Sequence, residues 1–271
     1  MLKQVESYLR GKNIDISAYN QSFIKKTISI RMNLTSCDTT NDYLLYLANI
    51  PAEVTELMWQ INNSYSEFFR NPLTYNFLEQ VILPQLLENK KIKRENEIRI
   101  WSAACASGQE AYSLAILCDE LIKSQTTAIN CRIFASDMNP EEISNAQKGV
   151  YLAPTLGKVT LNRIQTYFTR KREIYTIVPR LKESVDFSVF DLISDIGSCP
   201  PASIYGNFDL VFCSNLLFYY KPESRTFILE KLGSSLAREG YLVTGETERE
   251  IVRQNNYREV LPNSAIFQRR C

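Results

Sequence analysis

Residues 98–123 read IRIWSAACASGQEAYSLAILCDELIK, and the architecture of the chain follows from this segment. Its first six residues are mostly β-branched, aromatic or small, which predicts a buried strand over 98–103. Residues 109–123 carry apolar side chains at helical spacing and predict a helix. Between them lies a loop of small residues that ends at Gly108. A strand, a short loop and a helix in this order are typical of one unit of a parallel sheet.

The same alternation continues toward the C-terminus. Residues 132–136 predict a second strand, and 140–148 predict a helix that begins at Pro140 and ends before Gly149. A strand over 208–213, a helix over 222–238 and a strand over 241–245 follow. Such alternation favours parallel pairing with right-handed crossovers. The predicted fold class is therefore α/β, with a Rossmann-like domain over residues 98–271.

Two regions depart from this alternation. Residues 1–60 contain one glycine and one proline and predict a separate domain of short amphipathic helices. Residues 61–97 are expected to link the two domains, with a helix over 74–87 and a charged surface connection over 90–97. Strands at 174–178 and 185–190, separated by charge-rich segments, predict a small antiparallel subdomain inserted at 158–190.

Composition excludes several kinds of chemistry. The chain has no histidine, which rules out Ser-His-Asp hydrolysis, Cys-His proteolysis and histidine-ligated metals, and no metal site is expected. Lysine plus arginine number 31 against 30 acidic residues, so nucleic acid is not an expected partner. Seven scattered cysteines without a C-x-x-C pair fit a reduced protein. No apolar run reaches the ~18 residues of a membrane span, and we expect a cytoplasmic protein without membrane insertion.

In open parallel sheets, ligands bind at the carboxyl ends of the strands. The loop after the first strand has Gly108 alone where a dinucleotide site would have three glycines. Its small side chains, Ala104 among them, still permit close approach of a ligand to the backbone. This arrangement suits an adenosine ligand without phosphates, such as S-adenosylmethionine.

Two acidic residues near these loops each have two interpretations. Asp137 follows the second strand, where a carboxylate can accept hydrogen bonds from a ribose, but it can equally cap the helix that begins at Pro140. Glu110 can pair with a ligand's ammonium group, or it can complete a Ser107-x-x-Glu110 capping box. By spacing alone, the two roles of Asp137 are balanced and the capping box is favoured for Glu110.

The loop after the buried strand 208–213 carries Asn215 and Tyr219. Many methyltransferases that act on amino groups have an Asn/Asp-Pro-Pro-aromatic motif here, whereas this chain has Leu216 and Leu217 in place of the prolines. This difference argues against methylation of a nucleobase or of a glutamine amide.

Five segments together resemble the successive motifs of the CheR-type chemotaxis receptor methyltransferases. They are NNSYSEFFRNP (62–72), WSAACASGQEAYSLA (101–115), SDMNPEEISNAQKGVY (136–151), FDLVFCSNLLFYY (208–220) and YLVTGETE (241–248). The resemblance covers nearly the whole chain in the family's order. It implies a helical receptor-facing N-terminal domain, a Rossmann-like domain that binds S-adenosylmethionine, and a small inserted antiparallel β-subdomain.

The resemblance also implies the reaction and its residues. The reaction is methyl transfer to glutamate side chains on chemoreceptor cytoplasmic helices, which gives methyl esters and S-adenosylhomocysteine. Arg70 and Tyr219 match the family's active-site arginine and tyrosine. The cofactor contacts are expected at Ser64, Ser66, Arg70, Ala104, Gly108, Glu110, Asp137, Asp191, Leu192, Ser214 and Asn215.

The chain departs from the family's pattern at several positions. Ser214 replaces an arginine, Ser64 and Ser66 replace Asn and Thr, and Glu246 stands where a histidine is usual. Between residues 168 and 178 it lacks the glycine-bearing loop with which resembling enzymes grip a pentapeptide at receptor C-termini. We therefore expect substrate binding that needs no such tether.

Basic residues of the N-terminal domain are the expected substrate contact. Lys25, Lys26 and Arg31 lie together with no acidic residue between Asp15 and Asp38. They would meet the acidic methylation helices of a chemoreceptor, or they form an ordinary solvated helix face. The alternatives to receptor methylation are a same-fold enzyme that acts on another acidic protein or a small acid, and a non-catalytic adenosine-ligand module. We expect a monomer.

Overall fold

The computed structural model describes residues 1–62, 65–125, 128–194, 196–203 and 205–270, which form two compact units. The first unit consists of the described part of Met1–Ser64 together with Leu217–Thr226. The second consists of Tyr65–Leu216 and Phe227–Cys271 within the described ranges. A short segment from the C-terminal half therefore belongs to the N-terminal unit, which the sequence did not predict.

Helices make up most of the first unit, as predicted. They are α1 (Leu2–Arg10), α2 (Gln21–Leu34), α3 (Thr40–Asn49) and α4 (Pro51–Asn62). The Asn20 side chain caps α2 by accepting the Ser22 N–H, an amide that has no partner within the helix. An antiparallel bridge joins Tyr19 to Tyr220, and their rings stack with centroids 4.9 Å apart. This bridge ties the 217–226 segment to the N-terminal end of α2.

A long helical stretch precedes the sheet of the second unit. α5 (Pro72–Phe77) continues through a π-helical turn, Leu78–Ile82, into α6 (Leu83–Lys93). The helix runs beyond the predicted end at residue 87 and includes residues 90–93 of the predicted connection. Residues 94–96 do connect α6 to β1, and residues 91–96 are exposed as predicted, whereas residue 90 is not. Lys90 is buried because its amine pairs with the carboxylates of Glu95 and Asp209, at 2.5 and 2.9 Å. A lysine whose charge is paired in this way can be buried, so the charge of Lys90 did not show that it is exposed.

The predicted α/β fold is confirmed by a seven-stranded sheet. In order across the sheet, its strands are β6 (Val185–Val189), β2 (Asn130–Asp137), β1 (Glu97–Ala103), β7 (Phe208–Phe212), β8 (Leu236–Val243), β10 (Ile266–Arg269) and β9 (Tyr257–Glu259). The first five pair in parallel, and the C-terminal two, which were not predicted, are antiparallel. The connecting helices include α7 (Gln109–Gln125), α8 (Pro140–Lys148), α11 (Pro222–Ser235) and α12 (Arg249–Arg253). Across the described residues, no helix has the length and apolarity that a bilayer crossing requires.

The centre of this sheet is the core of the second unit. All five residues of β7 are buried, which is typical of a parallel strand covered on both faces. Trp101 on β1 is also fully buried, and its indole N–H donates to the Ser136 hydroxyl on β2 at 2.9 Å. The polar atom of the indole is therefore satisfied inside the core, as a buried Trp requires.

The antiparallel subdomain is a separate three-stranded sheet, and its set of strands differs from the predicted one. β3 (Val150–Leu152), β5 (Ile174–Ile177) and β4 (Phe168–Lys171) pair in that order, and α9 (Leu161–Tyr167) precedes the hairpin. The assignment of 185–190 to this subdomain is wrong. α10 (Pro179–Lys182) leads the chain back to the main sheet, where Val185 pairs in parallel with Ile133.

Candidate functional site

The loop between β1 and α7 is tightly bent. Ala104 and Ala106 take left-handed conformations with φ of 60° and 47°, and Gly108 has φ of 90°. An alanine in this region costs about 1–2 kcal/mol, and such strain clusters at functional sites. The Ala106 N–H donates to the Asp137 carboxylate at 2.9 Å, which fixes the loop to the end of β2. The bent backbone is thus held at the carboxyl edge of the parallel strands, where ligands bind in such sheets.

Asp137 lies at the end of β2 and is almost fully buried. Its carboxylate accepts the N–H of Ala106 and the N–H of Asn139, both at 2.9 Å, and burial raises its pKa. α8 is capped instead by Asn139, whose side chain accepts the Glu141 N–H at 3.0 Å. Capping of α8 by Asp137 is therefore not observed, and its binding of a ligand stays a prediction.

Glu110 lies in the first turn of α7 and is 9% exposed. The Ser102 hydroxyl donates to its Oε1 at 2.7 Å, and the Ser214 hydroxyl donates to its Oε2 at 3.0 Å. Ser107 bonds to Gln109 instead, so the capping box is not formed. Burial raises the pKa of Glu110 to about 8. Because an adjacent cation would stabilise its charged form, this carboxyl group fits a ligand's ammonium group.

Glu248 is a site residue that the sequence analysis missed. It is fully buried, and its Oε2 accepts the N–H of Asn215 and the N–H of Gly245, both at 2.8 Å. Asn215 has φ of 60° and directly follows Ser214, whose hydroxyl reaches Glu110. One carboxylate thus joins the ends of β7 and β8. Its only sequence signal is an acidic residue five positions after the apolar strand that ends at Val243, and Glu246 lies nearer to that strand.

The other predicted cofactor contacts are less constrained by hydrogen bonds. Asp191 and Leu192 follow β6, the strand beside β2. Asp191 accepts the N–H of Ile193 at 2.9 Å, and Leu192 is buried. Ser66 is half-buried in the segment before α5. Ser64 lies outside the described residues.

Arg70 follows a residue in an unusual conformation, since Phe69 has φ of 51°. The Arg70 Nη1 donates to the Tyr65 carbonyl at 3.1 Å, and the guanidinium lies 5.3 Å from the centroid of the Tyr65 ring. A guanidinium has five N–H groups, so this contact leaves donors for a carboxylate. The positive charge of Arg70 also lowers the pKa of Glu110, although burial has the larger, opposite effect. Arg70 therefore lies near enough to Glu110 within the second unit for its charge to act on that carboxyl group.

Tyr219 belongs to the first unit, with the residues around the start of α2. Its ring centroid lies 4.8 Å from that of Phe23, and its carbonyl accepts the Asn20 N–H at 2.8 Å. Lys221 donates its N–H to the Ala18 carbonyl at 3.0 Å. The helix that carries the predicted substrate-binding lysines therefore also holds the predicted active-site tyrosine.

The predicted basic surface is smaller in the structure. Lys25 and Lys26 are exposed on α2, as expected. Arg31 is 12% exposed, because its guanidinium makes a bidentate pair with the Glu53 carboxylate at 2.9 and 2.5 Å. Glu53 also accepts the Tyr43 hydroxyl at 2.7 Å. The placement of Arg31 in the substrate-binding surface is therefore wrong, because it joins α2 to α4 instead.

Gly108→Ala is expected to destabilise the protein by about 1–3 kcal/mol. Gly108 has φ of 90°, and an added Cβ would lie 2.9 Å from the Cβ of Ala146 on α8. Gly157→Ala is the matched control, because Gly157 has φ of −56° and an added Cβ would meet one atom, at 3.7 Å. The control is expected to be neutral or to stabilise by up to about 1 kcal/mol. Urea unfolding of both variants measures the difference, and equal effects would contradict the prediction.

Known proteins are similar in sequence to this chain over most of its length. Residues 64–266 match the family model described as CheR methyltransferase, SAM binding domain. The chemotaxis protein methyltransferase of Listeria monocytogenes is 29% identical over 240 residues, which cover 89% of this chain and 86% of that protein. That of Salmonella typhimurium is 30% identical over 77% of this chain and 70% of its own length. Chemotaxis protein methyltransferase 1 of Pseudomonas aeruginosa is 32% identical over 67% of this chain and 64% of its own length.

Proposed function

The chain belongs to the CheR methyltransferase family, and we propose that it methylates glutamate side chains on the cytoplasmic helices of chemoreceptors. It is an S-adenosylmethionine-dependent methyltransferase of chemotaxis. One observation carries the proposed substrate. The site has a buried acid suited to the cofactor's ammonium group, and an arginine suited to a carboxylate lies near enough to lower the pKa of that acid. No histidine is available as a base, and a carboxylate substrate needs none.

The residues at the carboxyl edge of the sheet fit the cofactor's functional groups. Glu110 would hold the ammonium group, and Asp137 would accept hydrogen bonds from the ribose hydroxyls. Asp191 and Leu192 would lie against the adenine. The loop that contains Ala104 and Gly108 allows close backbone approach. Ser66, Ser214 and Asn215 would complete the contacts, and Ser64 is proposed from the resemblance alone.

The proposed reaction requires little acid–base catalysis from the protein. Bound S-adenosylmethionine supplies a methyl group that is electrophilic because it is attached to a sulfonium. A glutamate side chain has a reference pKa of ~4.3, so it is already ionised and nucleophilic at neutral pH. The chain's task is therefore to align the carboxylate and exclude water. Alignment of this kind can lower a barrier by roughly 7–11 kcal/mol.

Arg70 and Tyr219 are the proposed active-site side chains. Arg70 can bind a carboxylate with two parallel N–H groups, a geometry that lysine lacks. A carboxylate paired through both oxygens is a weaker nucleophile. We therefore assign Arg70 to one oxygen of the substrate, or to the cofactor's own carboxylate, so that the attacking oxygen stays free. Tyr219, which belongs to the first unit, is proposed as the second active-site side chain from the resemblance alone.

The proposed partner is an acidic chemoreceptor helix, which Lys25 and Lys26 would attract. Reversing both charges, Lys25→Glu with Lys26→Glu, is expected to raise KM for a receptor fragment about threefold to tenfold, since such charges mainly set association rates. The variant's KM should also depend less on salt than that of the wild type. Lys3→Glu, an exposed change on α1, is the matched control. A wild-type salt response in the double variant would contradict the proposed contact.

The type of methylated group can be tested directly. The protein is incubated with methyl-labelled S-adenosylmethionine and a chemoreceptor cytoplasmic fragment, and the labelled fragment is then treated with mild alkali. Methyl esters release labelled methanol, whereas N-methyl groups do not. Volatile label from the fragment, and none from an unrelated acidic protein, supports the proposal. Alkali-stable label would refute carboxyl methylation, and equal labelling of both proteins would refute the receptor as the specific substrate.

A further inference from the structure

We propose that Lys158 and Ser113 are positioning residues that hold Arg70 in place. The inference rests on the proposed role of Arg70 and deepens it. Neither side chain is assigned to the cofactor or the substrate above. Both bond to the main chain of Phe69 and Arg70, one at each side of the short segment that precedes α5.

Ser113 holds the amide of Phe69. It lies on α7 one turn after Glu110, is fully buried, and accepts the Phe69 N–H at 3.1 Å. The Ser113 hydroxyl donates to the Gln109 carbonyl at 2.7 Å. This bond to its own helix fixes the orientation of the Ser113 oxygen that accepts the Phe69 N–H. Phe69 needs such support because its φ of 51° is unfavourable for a residue with a Cβ. Ser113 thus links the backbone beside Arg70 to α7, the helix that carries Glu110.

Lys158 holds the other end of the same segment. Its amine donates to the Arg70 carbonyl at 2.7 Å and pairs with the Glu67 carboxylate at 2.7 Å. Lys158, and then the Tyr65 hydroxyl, keep the pKa of Glu67 below its usual value, so this carboxylate is ionised at neutral pH. Lys158 lies just before α9, and 88 residues separate it from Arg70. It thus ties the segment to the inserted part of the chain.

The ring of Phe69 is packed as well, so contacts hold both the backbone and the side chain of this residue. The Arg163 guanidinium lies 4.8 Å from the Phe69 ring centroid, and the Tyr75 ring lies 5.1 Å away, edge to face. Arg163 is itself bound to Glu79 and Glu120, at 3.0 and 2.7 Å. With the Phe69 ring, the Phe69 N–H and the Arg70 carbonyl all held, the Arg70 side chain begins from a defined backbone.

Lys158→Met tests the proposal, because methionine keeps an apolar stem and loses the donors. We expect kcat/KM for receptor methylation to fall about threefold to tenfold, the effect of one partly exposed charged contact. Lys158→Arg should recover most of this loss. Lys171→Met is the control, since Lys171 is exposed on β4 of the inserted sheet. In an Arg70→Ala background, Lys158→Met should cause no further loss. A further loss of the same size would show that Lys158 does not act through Arg70.

Ser113→Ala is a second, independent test. It leaves the buried Phe69 N–H without its acceptor and is expected to lower kcat/KM about tenfold, with Lys158 unchanged. If Ser113→Ala fails to fold, the Lys158 variants alone test the positioning proposal. If Arg70→Ala retains full activity, the proposed role of Arg70 itself fails. If Arg70→Ala is impaired while Lys158→Met equals wild type in kcat/KM, the positioning inference fails and the proposed function stands.

Discussion

Arg70→Ala is expected to lower kcat/KM for receptor methylation about a hundredfold. A hydrogen bond between charged groups contributes about 1.5–3 kcal/mol, and Arg70 is assigned one such contact, to a single carboxylate oxygen. Each 1.36 kcal/mol corresponds to a tenfold change in rate. Arg70→Lys should recover tenfold or less, because lysine restores the charge without the planar pair of donors. Steady-state kinetics with varied receptor and saturating cofactor measure both variants.

The design separates a local role of Arg70 from a loss of folding. In the structure its guanidinium contacts the Tyr65 carbonyl and ring, and these contacts are exposed. The variants should therefore unfold within about 0.5 kcal/mol of the wild type. Arg258→Ala is the matched control, because Arg258 is exposed on β9, the outermost strand of the sheet. Wild-type turnover by Arg70→Ala at saturating cofactor would remove Arg70 from the proposed mechanism.

Local sequence patterns located the parallel strands and their helices, although the helix predicted over 222–238 ends at Ser235, just before β8 begins. The change from strand to helical periodicity over 98–123 located β1 and α7, and Pro140 and Gly149 gave both ends of α8. Pairing partners were not predictable in the same way, because they depend on contacts between distant segments. Strand 185–190 was therefore placed in the wrong sheet, and the three-residue β3 is too short to show a pattern.

The dependence on contacts between distant segments also limited what the sequence could predict about the site. Spacing favoured a cap for Glu110, since Ser107 lies three residues before it. The structure instead supplies hydroxyl partners from Ser102 on β1 and from Ser214, 104 residues away. Arg31 was misplaced for a related reason, as its partner Glu53 lies on another helix. Residue type and order predicted the kind of site, whereas the hydrogen-bond partners of these side chains come from other elements and could not be predicted.

Cofactor binding is expected to release a proton through Glu110 and to strengthen as pH rises. Burial raises the pKa of this carboxyl to about 8 in the ligand-free chain, so it is mostly protonated at pH 6 to 7. A cationic ammonium would favour the ionised form, and binding below pH 8 therefore expels one proton. The dissociation constant for S-adenosylhomocysteine, which keeps the ammonium, should fall up to about tenfold per pH unit from pH 6 to 8 and then level. Calorimetry in two buffers of different ionisation enthalpy measures both affinity and proton release.

Glu110→Gln should remove this pH dependence and weaken binding at pH 8 about tenfold to a hundredfold, because the amide cannot become charged. Stability gives an independent readout with a definite sign. A carboxyl whose folded-state pKa is raised adds stability below its unfolded value of ~4.3 and loses it as pH rises toward 8, by about 1.4 kcal/mol per unit. The variant should therefore lose less stability than the wild type between pH 5 and 8. Glu173→Gln, an exposed change, should behave as wild type. Pronounced proton release on binding by Glu110→Gln would assign the titration to another group and refute this role of Glu110.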